Sequence, residues 1–387
     1  MLFASGILGL LIWGYLLLGR GGFWRIHRAA SPLPATARHA NESPVRIAVI
    51  VPARNEADVV GRAISSLLRQ AGPDSLHIFL VDDGSTDGTA QAAREAAGLA
   101  GRAEMLTVSQ GQPLAPDWSG KLWAMQQGIG LARLSAPDFF LFTDADVEHA
   151  SGSVSALVQI ARSGPYDLAS FMVKLYCETP SEKLLIPAFV FFFFKLYPPA
   201  WIANPSRSTA GAAGGCILIR PAALEQAGGL EAIRQEVIDD CSLAARVKRS
   251  GGRLWLGASA TTRSLRPYGS FSEIGRMISR SAFNQLHHSS LLLLLSVLGM
   301  VVTYLLPPAL VLLSNRAWPA ALGAVAWILM MLSYVPVLRL YRLSPLWALA
   351  LPLAAVFYMG ATFHSAWKYW TGRGGEWKGR VQDPVES

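Results

Sequence analysis

Apolar positions fall into two regimes along the chain. Four stretches, Leu2 to Leu18, Leu291 to Leu313, Trp318 to Leu338 and Leu346 to Trp367, are apolar on every face and approach the roughly 20 residues that cross a bilayer. Between the first and the second, short apolar blocks of changing period alternate with polar ones. Arg46 to Val51 is a β-branched run stopped by Pro52, and Ala57 to Gln70 sets Val60, Ile64, Leu67 and Leu68 at helical spacing. His77 to Val81 predicts a second strand. It runs into Asp82-Asp83-Gly84-Ser85-Thr86-Asp87-Gly88-Thr89, residues that end a strand and cap the next helix. The pattern then predicts helix over Lys121 to Leu131, strand over Phe139 to Thr143, helix over Ser151 to Ala161, strand over Leu168 to Lys174 and helix over Cys241 to Arg249. Strands alternating with helices predict an α/β domain on a mainly parallel sheet.

Composition sharpens the division. Hydrophobic residues make up 52% of the 387 positions and charged residues only 16%, with a net charge of +8. Arg20, Arg25 and Arg28 follow the first apolar run, and Arg276 and Arg280 precede the second. Positive residues favour the cytoplasmic side, which places the intervening domain in the cytosol at a cytoplasmic (inner) membrane. The first run has no positively charged start and no small-residue cleavage site before Arg20, so residues 1–19 read as a retained anchor rather than a signal peptide. A basic juxtamembrane surface suits anionic lipid, and no nucleic-acid motif accompanies it. Cys177, Cys216 and Cys241 form neither a zinc pattern nor a disulfide framework. The Asn41-Glu42-Ser43 sequon has no role in a cytosolic segment.

The region 291–367 reads as two or three helices. Three crossings would carry the basic tail, residues 368–387, to the outside, against the positive-inside tendency, and Pro307-Pro308 makes the second run a candidate for a broken or re-entrant segment. Leu184 to Trp201 is aromatic-rich but interrupted by Lys195 and Pro198-Pro199, which suits an element lying at the membrane interface.

Candidate chemistry collects at strand ends. Ligands of open α/β sheets bind beyond the carboxyl ends of the strands, where Pro52 to Glu56, Asp82-Asp83 and Asp144 to Asp146 all fall. If extended geometry persists past Thr143, the side chains of Asp144 and Asp146 point the same way. One or two carboxylates plus substrate phosphates suit Mg²⁺ or Mn²⁺. Lys121 opens a helix, where a phosphate is favoured. Glu236-Val237-Ile238-Asp239-Asp240 opens another, as acidic residues at a helix N-terminus commonly do.

Jointly, strand-Pro52-Ala53-Arg54-Asn55-Glu56, strand-Asp82-Asp83-Gly84-Ser85-Thr86-Asp87-Gly88-Thr89 and strand-Thr143-Asp144-Ala145-Asp146 resemble the family 2 inverting glycosyltransferases, from about residue 45 to about residue 286. The resemblance implies a Rossmann-like GT-A domain that transfers a sugar from a nucleotide-diphospho-sugar, with UDP or GDP as the nucleotide. It implies that Pro52, Arg54, Glu56 and Asp83 contact the nucleoside, that Asp144 helps hold it and that Asp146 ligates the metal, while Arg280, the Arg that survives from a later family motif, is placed to neutralise the diphosphate. Asp240 matches the family's base, with Asp239 in place of its usual Glu. Gly211 to Gly215, followed by Cys216 to Ile219, is similar to the family's acceptor-side turn and strand, so Gly214 and Gly215 face the acceptor.

Processive members carry Gln-x-x-Arg-Trp. Here the corresponding stretch is Met277-Ile278-Ser279-Arg280-Ser281, which lacks the aromatic platform for a growing glycan and speaks against a polysaccharide synthase. Trp118 to Ala124, Ile186 to Phe194, Ile238 to Cys241 and Trp377-Lys378-Gly379-Arg380 resemble the hopene-associated glycosyltransferases. That likeness implies a lipid acceptor, hopanoid or polyisoprenoid, with Phe189, Phe192 and Phe193 on its side. A catalytically silent membrane scaffold with the same fold is the rival from another class.

Overall fold

A computed structural model describes residues 2–26, 44–71 and 75–372, and the backbone of 374–377 and 380–383. Arg28, the sequon at 41–43, Arg373 and Lys378 lie outside the described residues. In chain order the elements begin with helix α1 (Leu2–Leu18), strand β1 (Arg46–Ala53), α2 (Val60–Leu68), β2 (Ser75–Asp82), α3 (Thr89–Leu99), β3 (Leu106–Gln110), α4 (Gly120–Ala132) and β4 (Phe139–Thr143). There follow β5 (Val147–Glu148), α5 (Ser153–Ser163), β6 (Leu168–Lys174), α6 (Pro180–Leu196), α7 (Pro199–Ala203), β7 (Cys216–Ile219), α8 (Pro221–Gln226), α9 (Asp239–Arg249) and β8 (Leu254–Ser264). The others are α10 (Phe271–Ser279), α11 (Ser290–Met300), α12 (Leu306–Leu313), α13 (Ala317–Leu340), α14 (Leu351–Trp370), β9 (Gly374–Trp377) and β10 (Arg380–Asp383).

Two compact units result. One comprises His27–Tyr176 and Trp201–Arg266, the other Met1–Ile26, Cys177–Ala200 and Pro267–Ser387. The first is built on an eight-stranded sheet in the order β3-β2-β1-β4-β7-β6-β8-β5. Strands β3, β2, β1 and β4 run parallel, and β7 is antiparallel to both its neighbours. Parallel strands covered on both faces are apolar throughout. Accordingly β1 buries every residue after Arg46, and β4 buries all five. Val49, Leu80 and Leu141 from the sheet pack with Ile64 of α2 and Leu157 of α5 in one apolar core. The helix expected from Ala57 starts only at Val60, because the loop before it is bonded elsewhere. Strands β3 and β8 have no strong apolar signature. The first is half-buried at the sheet edge and the second ends in Ala-Thr-Thr-Arg-Ser.

In the helical unit α1 packs against α12 and α13, and α6 against α13 and α14. Among the described residues four helical segments are long and apolar enough to cross a membrane: Pro180–Ala203, Ser290–Leu313, Ala317–Leu340 and Pro345–Trp370. The Pro307-Pro308 pair does not break the second of these. A π-helical turn at Val301–Leu305 joins α11 to α12. Pro307 has no N–H for the carbonyl four residues back, and the Trp13 indole donates to that carbonyl, of Thr303, at 2.9 Å. A neighbouring side chain thus satisfies the backbone group that proline frees.

The stretch expected at a membrane interface forms α6 and α7. A capping box between Thr179 and Glu182 starts it, and Phe191, Phe192 and Phe194 are buried. Strands β6 and β7, which precede and follow it, are hydrogen-bonded neighbours in one sheet.

Candidate active site

Two loops at the ends of β1 and β2 are knitted together. The Arg54 guanidinium donates to the Asp83 carbonyl oxygen and lies 3.5 Å from Asp83 Oδ2. Asn55 N donates to Ser85 Oγ at 2.9 Å, and Asn55 Oδ1 accepts from Thr86 N at 2.9 Å. Glu56 N donates to Thr89 Oγ1 at 2.8 Å, and Ala57 N to Asp87 Oδ2 at 3.0 Å. Asn55 is thus a cross-loop clamp and not a helix cap. Its φ of 53° lies in the left-handed region that asparagine tolerates. Glu56 and Asp83 are buried, and the buried Arg54 Nε has no hydrogen-bond partner among the described residues. Pro52 does not stop β1, which continues through Ala53, and it lines a small recess with Lys121, Asp144, Gly214 and Asp240.

The carboxylates after β4 do not point the same way. The chain turns there, Val147 N donating to Asp144 O at 3.2 Å, so the extended geometry that would align them ends at Thr143. Asp144 Oδ1 lies 3.0 Å from Lys121 Nζ. Asp146 Oδ2 instead accepts from Ser264 Oγ at 3.2 Å and lies 3.7 Å from Arg266 Nε. The same guanidinium is paired with Glu56 through its terminal nitrogen.

A third cluster forms where α4 and α9 begin. Lys121 Nζ bridges Asp144 and, at 3.2 Å, Asp239 Oδ2. Asp240 accepts two backbone N–H groups, Gly214 N on Oδ2 and Cys241 N on Oδ1, each at 2.7 Å. A Cβ on Gly214 would sit 3.3 Å from Asp240 Oδ2 and 3.5 Å from Lys121 Nζ, so close approach is what requires glycine there. One on Gly215 would press Val173 at 3.0 Å. Burial, with help from Asp239, pushes the Asp240 carboxyl up to about 6, against the pull of Lys121 and the two N–H donors. Burial would lower Lys121, but Asp144, Asp239 and Asp240 outweigh it and hold the ammonium charged. Burial, then Asp144 and Glu56, raise Asp146 to about 6 as well, with Arg266 and Ser264 opposing.

Behind these groups runs a buried relay. Thr143 Oγ1 donates to Gly215 O at 2.9 Å and meets His149 Nε2 at 2.9 Å. The hydroxyl has one proton, so His149 Nε2 carries the donor. Burial drops His149 to about 4, leaving it neutral with Nδ1 unpartnered. The relay ties the end of β4 to the Gly214-Gly215 turn. Substituting Thr143→Val keeps the shape and strands a buried N–H and a carbonyl. A loss of about 1–3 kcal/mol is expected, read as a lower thermal midpoint of the purified protein.

Ser264, Arg266 and His149 were invisible as sequence motifs. Arg266 is 210 residues from Glu56, and no local pattern links them. The remaining candidates belong to the helical unit. Arg280 is exposed at the end of α10. Phe189 and Phe193 are half-buried, with rings 6.4 Å apart. Phe192 is buried between the rings of Tyr304 and Tyr358, at 5.3 and 4.9 Å.

Among the described residues no three His, Cys, Asp or Glu side chains form a metal cage. A hard cation that keeps waters and takes substrate phosphates needs only one or two carboxylates. The excess negative charge of Asp146, Asp144 and Glu56 fits such an ion.

The family model described as Glycosyl transferase family 2 matches residues 48–228. Residues 48–228, just under half of the chain, are similar to that family. A mannosyltransferase from Pyrobaculum calidifontis, solved in complex with GDP-Man and Mn²⁺, superposes with a TM-score of 0.54 at 19% identity, covering 95% of this chain and 99% of that one. The sheet-containing unit thus has the GT-A fold. A succinoglycan biosynthesis protein of Rhizobium meliloti is 32% identical over 98 residues, 25% of this chain and 28% of that protein. A 4,4'-diaponeurosporenoate glycosyltransferase of Staphylococcus aureus is 31% identical over 111 residues, 29% of this chain and 26% of the relative. The matched part spans little more than a quarter of each relative's length.

Proposed function

We propose that the protein is a membrane-bound, inverting glycosyltransferase that moves a sugar from a nucleotide-diphospho-sugar to a lipid acceptor, plausible acceptors being a hopanoid or another polyisoprenoid. The observation that carries this reading is the convergence of Asp144, Asp239 and Asp240 on the Lys121 ammonium, beside the Asp146 edge of the same sheet. Arg54, Glu56 and Asp83 form the nucleoside side, and the unpartnered Arg54 Nε is a donor free for it. Lys121 pairs with Asp144 and Asp239, and Asp240, held by two backbone N–H groups, is assigned as the base. A carboxyl near 6 is ionised at neutral pH and still basic enough to take a proton.

Asp240 takes the proton of the acceptor hydroxyl as its oxygen attacks the anomeric carbon from the face opposite the diphosphate. The bond from that carbon to the phosphate oxygen breaks, and its electron pair leaves with the nucleotide. The Gly214 and Cys241 amides aim the carboxylate. Asp146 and the donor diphosphate would hold Mg²⁺ or Mn²⁺. A bound divalent cation supplies Lewis-acid stabilisation of charge developing on the departing diphosphate.

The apolar helices of the same chain support a lipid acceptor at a cytoplasmic (inner) membrane, and Arg20, Arg25, Arg276 and Arg280 support a cytosolic catalytic face. Titration calorimetry with UDP, GDP and their sugar conjugates, with and without Mn²⁺, tests the donor site. Metal-dependent binding of one nucleotide is the expected result. No binding by folded protein would replace this reading with the silent scaffold.

A further inference from the structure

The proposed metal edge already carries a cation of its own. The Arg266 guanidinium pairs with Glu56 through one terminal nitrogen and places Nε 3.7 Å from Asp146 Oδ2. Its position is fixed from several directions. Leu265 N donates to Asp146 O at 2.7 Å, Arg266 N donates to Ser264 Oγ at 3.3 Å, and that hydroxyl donates to Asp146 Oδ2. Strand β5 pairs with the end of β8 through Val147 and Ser264, so the backbone of Arg266 is carried by the strand that follows Asp146. A planar fork of five donors cannot be deprotonated in a protein. Its charge therefore remains at this edge at every working pH.

We propose that Arg266 is a built-in competitor of the divalent cation at Asp146, which makes tight metal binding conditional on the donor. The proposal rests on the reading of Asp146 as the metal ligand. A divalent ion on Asp146 meets a fixed positive charge a few ångströms away, in a half-buried site where like charges repel strongly. The diphosphate brings the missing negative charge, accepts the guanidinium fork bidentately and completes the coordination of the ion. Donor and cation then bind with positive coupling, which linkage makes reciprocal. The Lys121 cluster cannot substitute, because its ammonium is engaged by Asp144 and Asp239.

The experiment is binding of Mn²⁺ alone, read by the electron paramagnetic resonance signal of free ion, to the full-length wild type, R266M, R266K and R266M/D146N. Arg266→Met keeps the stem and removes the charge. The expected result is a Kd for Mn²⁺ at least tenfold lower in R266M than in wild type, near-wild-type affinity in R266K, and loss of the gain in R266M/D146N. The ratio of Mn²⁺ affinities with and without UDP or GDP is expected to be smaller in R266M. Equal or weaker Mn²⁺ binding by R266M, or a gain that survives D146N, would overturn the competition. Absence of Mn²⁺ binding from all four proteins, even with nucleotide, would instead remove the metal role of Asp146 and the competition with it. A lower thermal midpoint of R266M with unchanged Mn²⁺ affinity would reduce Arg266 to a structural ion pair, which also overturns the proposal.

Discussion

Replacing Asp240 by asparagine is expected to lower turnover by about 10²–10⁴-fold, the usual worth of a positioned general base, with donor affinity unchanged. Asparagine can still accept an N–H from Gly214 or Cys241 through its carbonyl oxygen, so the turn survives while the basic group is lost. The pH profile gives the second reading. The wild type must ionise a carboxyl raised to about 6 by burial and by Asp239. Its kcat/KM is expected to climb about tenfold per pH unit below that value at saturating metal and to level above it. The residual activity of D240N is expected to lack this limb. Asp239→Asn is expected to keep most turnover, because Asp239 serves as a counter-ion to Lys121. Equal losses in the two variants, with the acidic limb intact in D240N, would move the base to Asp239.

Replacing Asp146 by asparagine is expected to remove metal-dependent nucleotide binding and to cost roughly 10³-fold or more in turnover, the equivalent of several kcal/mol of charge stabilisation. Stability should move in the opposite direction. The Asp146 carboxyl is raised to about 6 from the ordinary 3.8 by burial, Asp144 and Glu56. Between these values the native state holds more protons than the unfolded state, so this group's contribution to stability falls as pH rises through that window. Asparagine has no such penalty. D146N is therefore expected to match the wild type near pH 4 and to exceed it by about 1–3 kcal/mol above pH 6. Thermal midpoints across that range measure the difference. A D146N variant with full turnover and a lower midpoint at neutral pH would sink both the metal role and the electrostatic reading. Gain of stability with loss of function is what a strained active site gives.

Strands buried on both faces were plain in the sequence. Phe139 to Thr143 and Leu168 to Lys174 coincide with β4 and β6, since nothing but a covered strand accommodates such short apolar runs between turn signals. Strand β8 escaped because it ends in a polar stretch, and its last residue Ser264, with Arg266 two residues beyond, was hidden with it. At the site, the acidic and glycine loops stood out because loops with unusual residue types are local features. What those loops bind to is non-local. Asp144 and Asp146 were expected to share one direction. A single turn sends them to Lys121 and to Arg266, a geometry that periodicity does not encode. The aromatic run of α6 was legible as unusual, yet its burial depends on Tyr304, Tyr334 and Tyr358, which lie far downstream.

The interrupted order of the two units sets a timetable for synthesis. Strand β7 inserts between β4 and β6, so those two strands stay open-edged until the chain has passed through α6 and reached Ile219. Helix α6 itself emerges roughly 120 residues before α13 begins and roughly 150 before α14 begins, a delay of about 6–30 s at ordinary elongation rates. During that interval Phe191 and Phe192 lack Tyr304, Tyr334 and Tyr358, with Phe23 the aromatic partner of Phe191 already made, while the sheet on either side is incomplete. The nascent chain must keep an apolar helix sheltered, by bilayer or by chaperone, without letting it drag its flanking strands apart. Biogenesis, more than equilibrium stability, is where substitutions in α6 are expected to be felt.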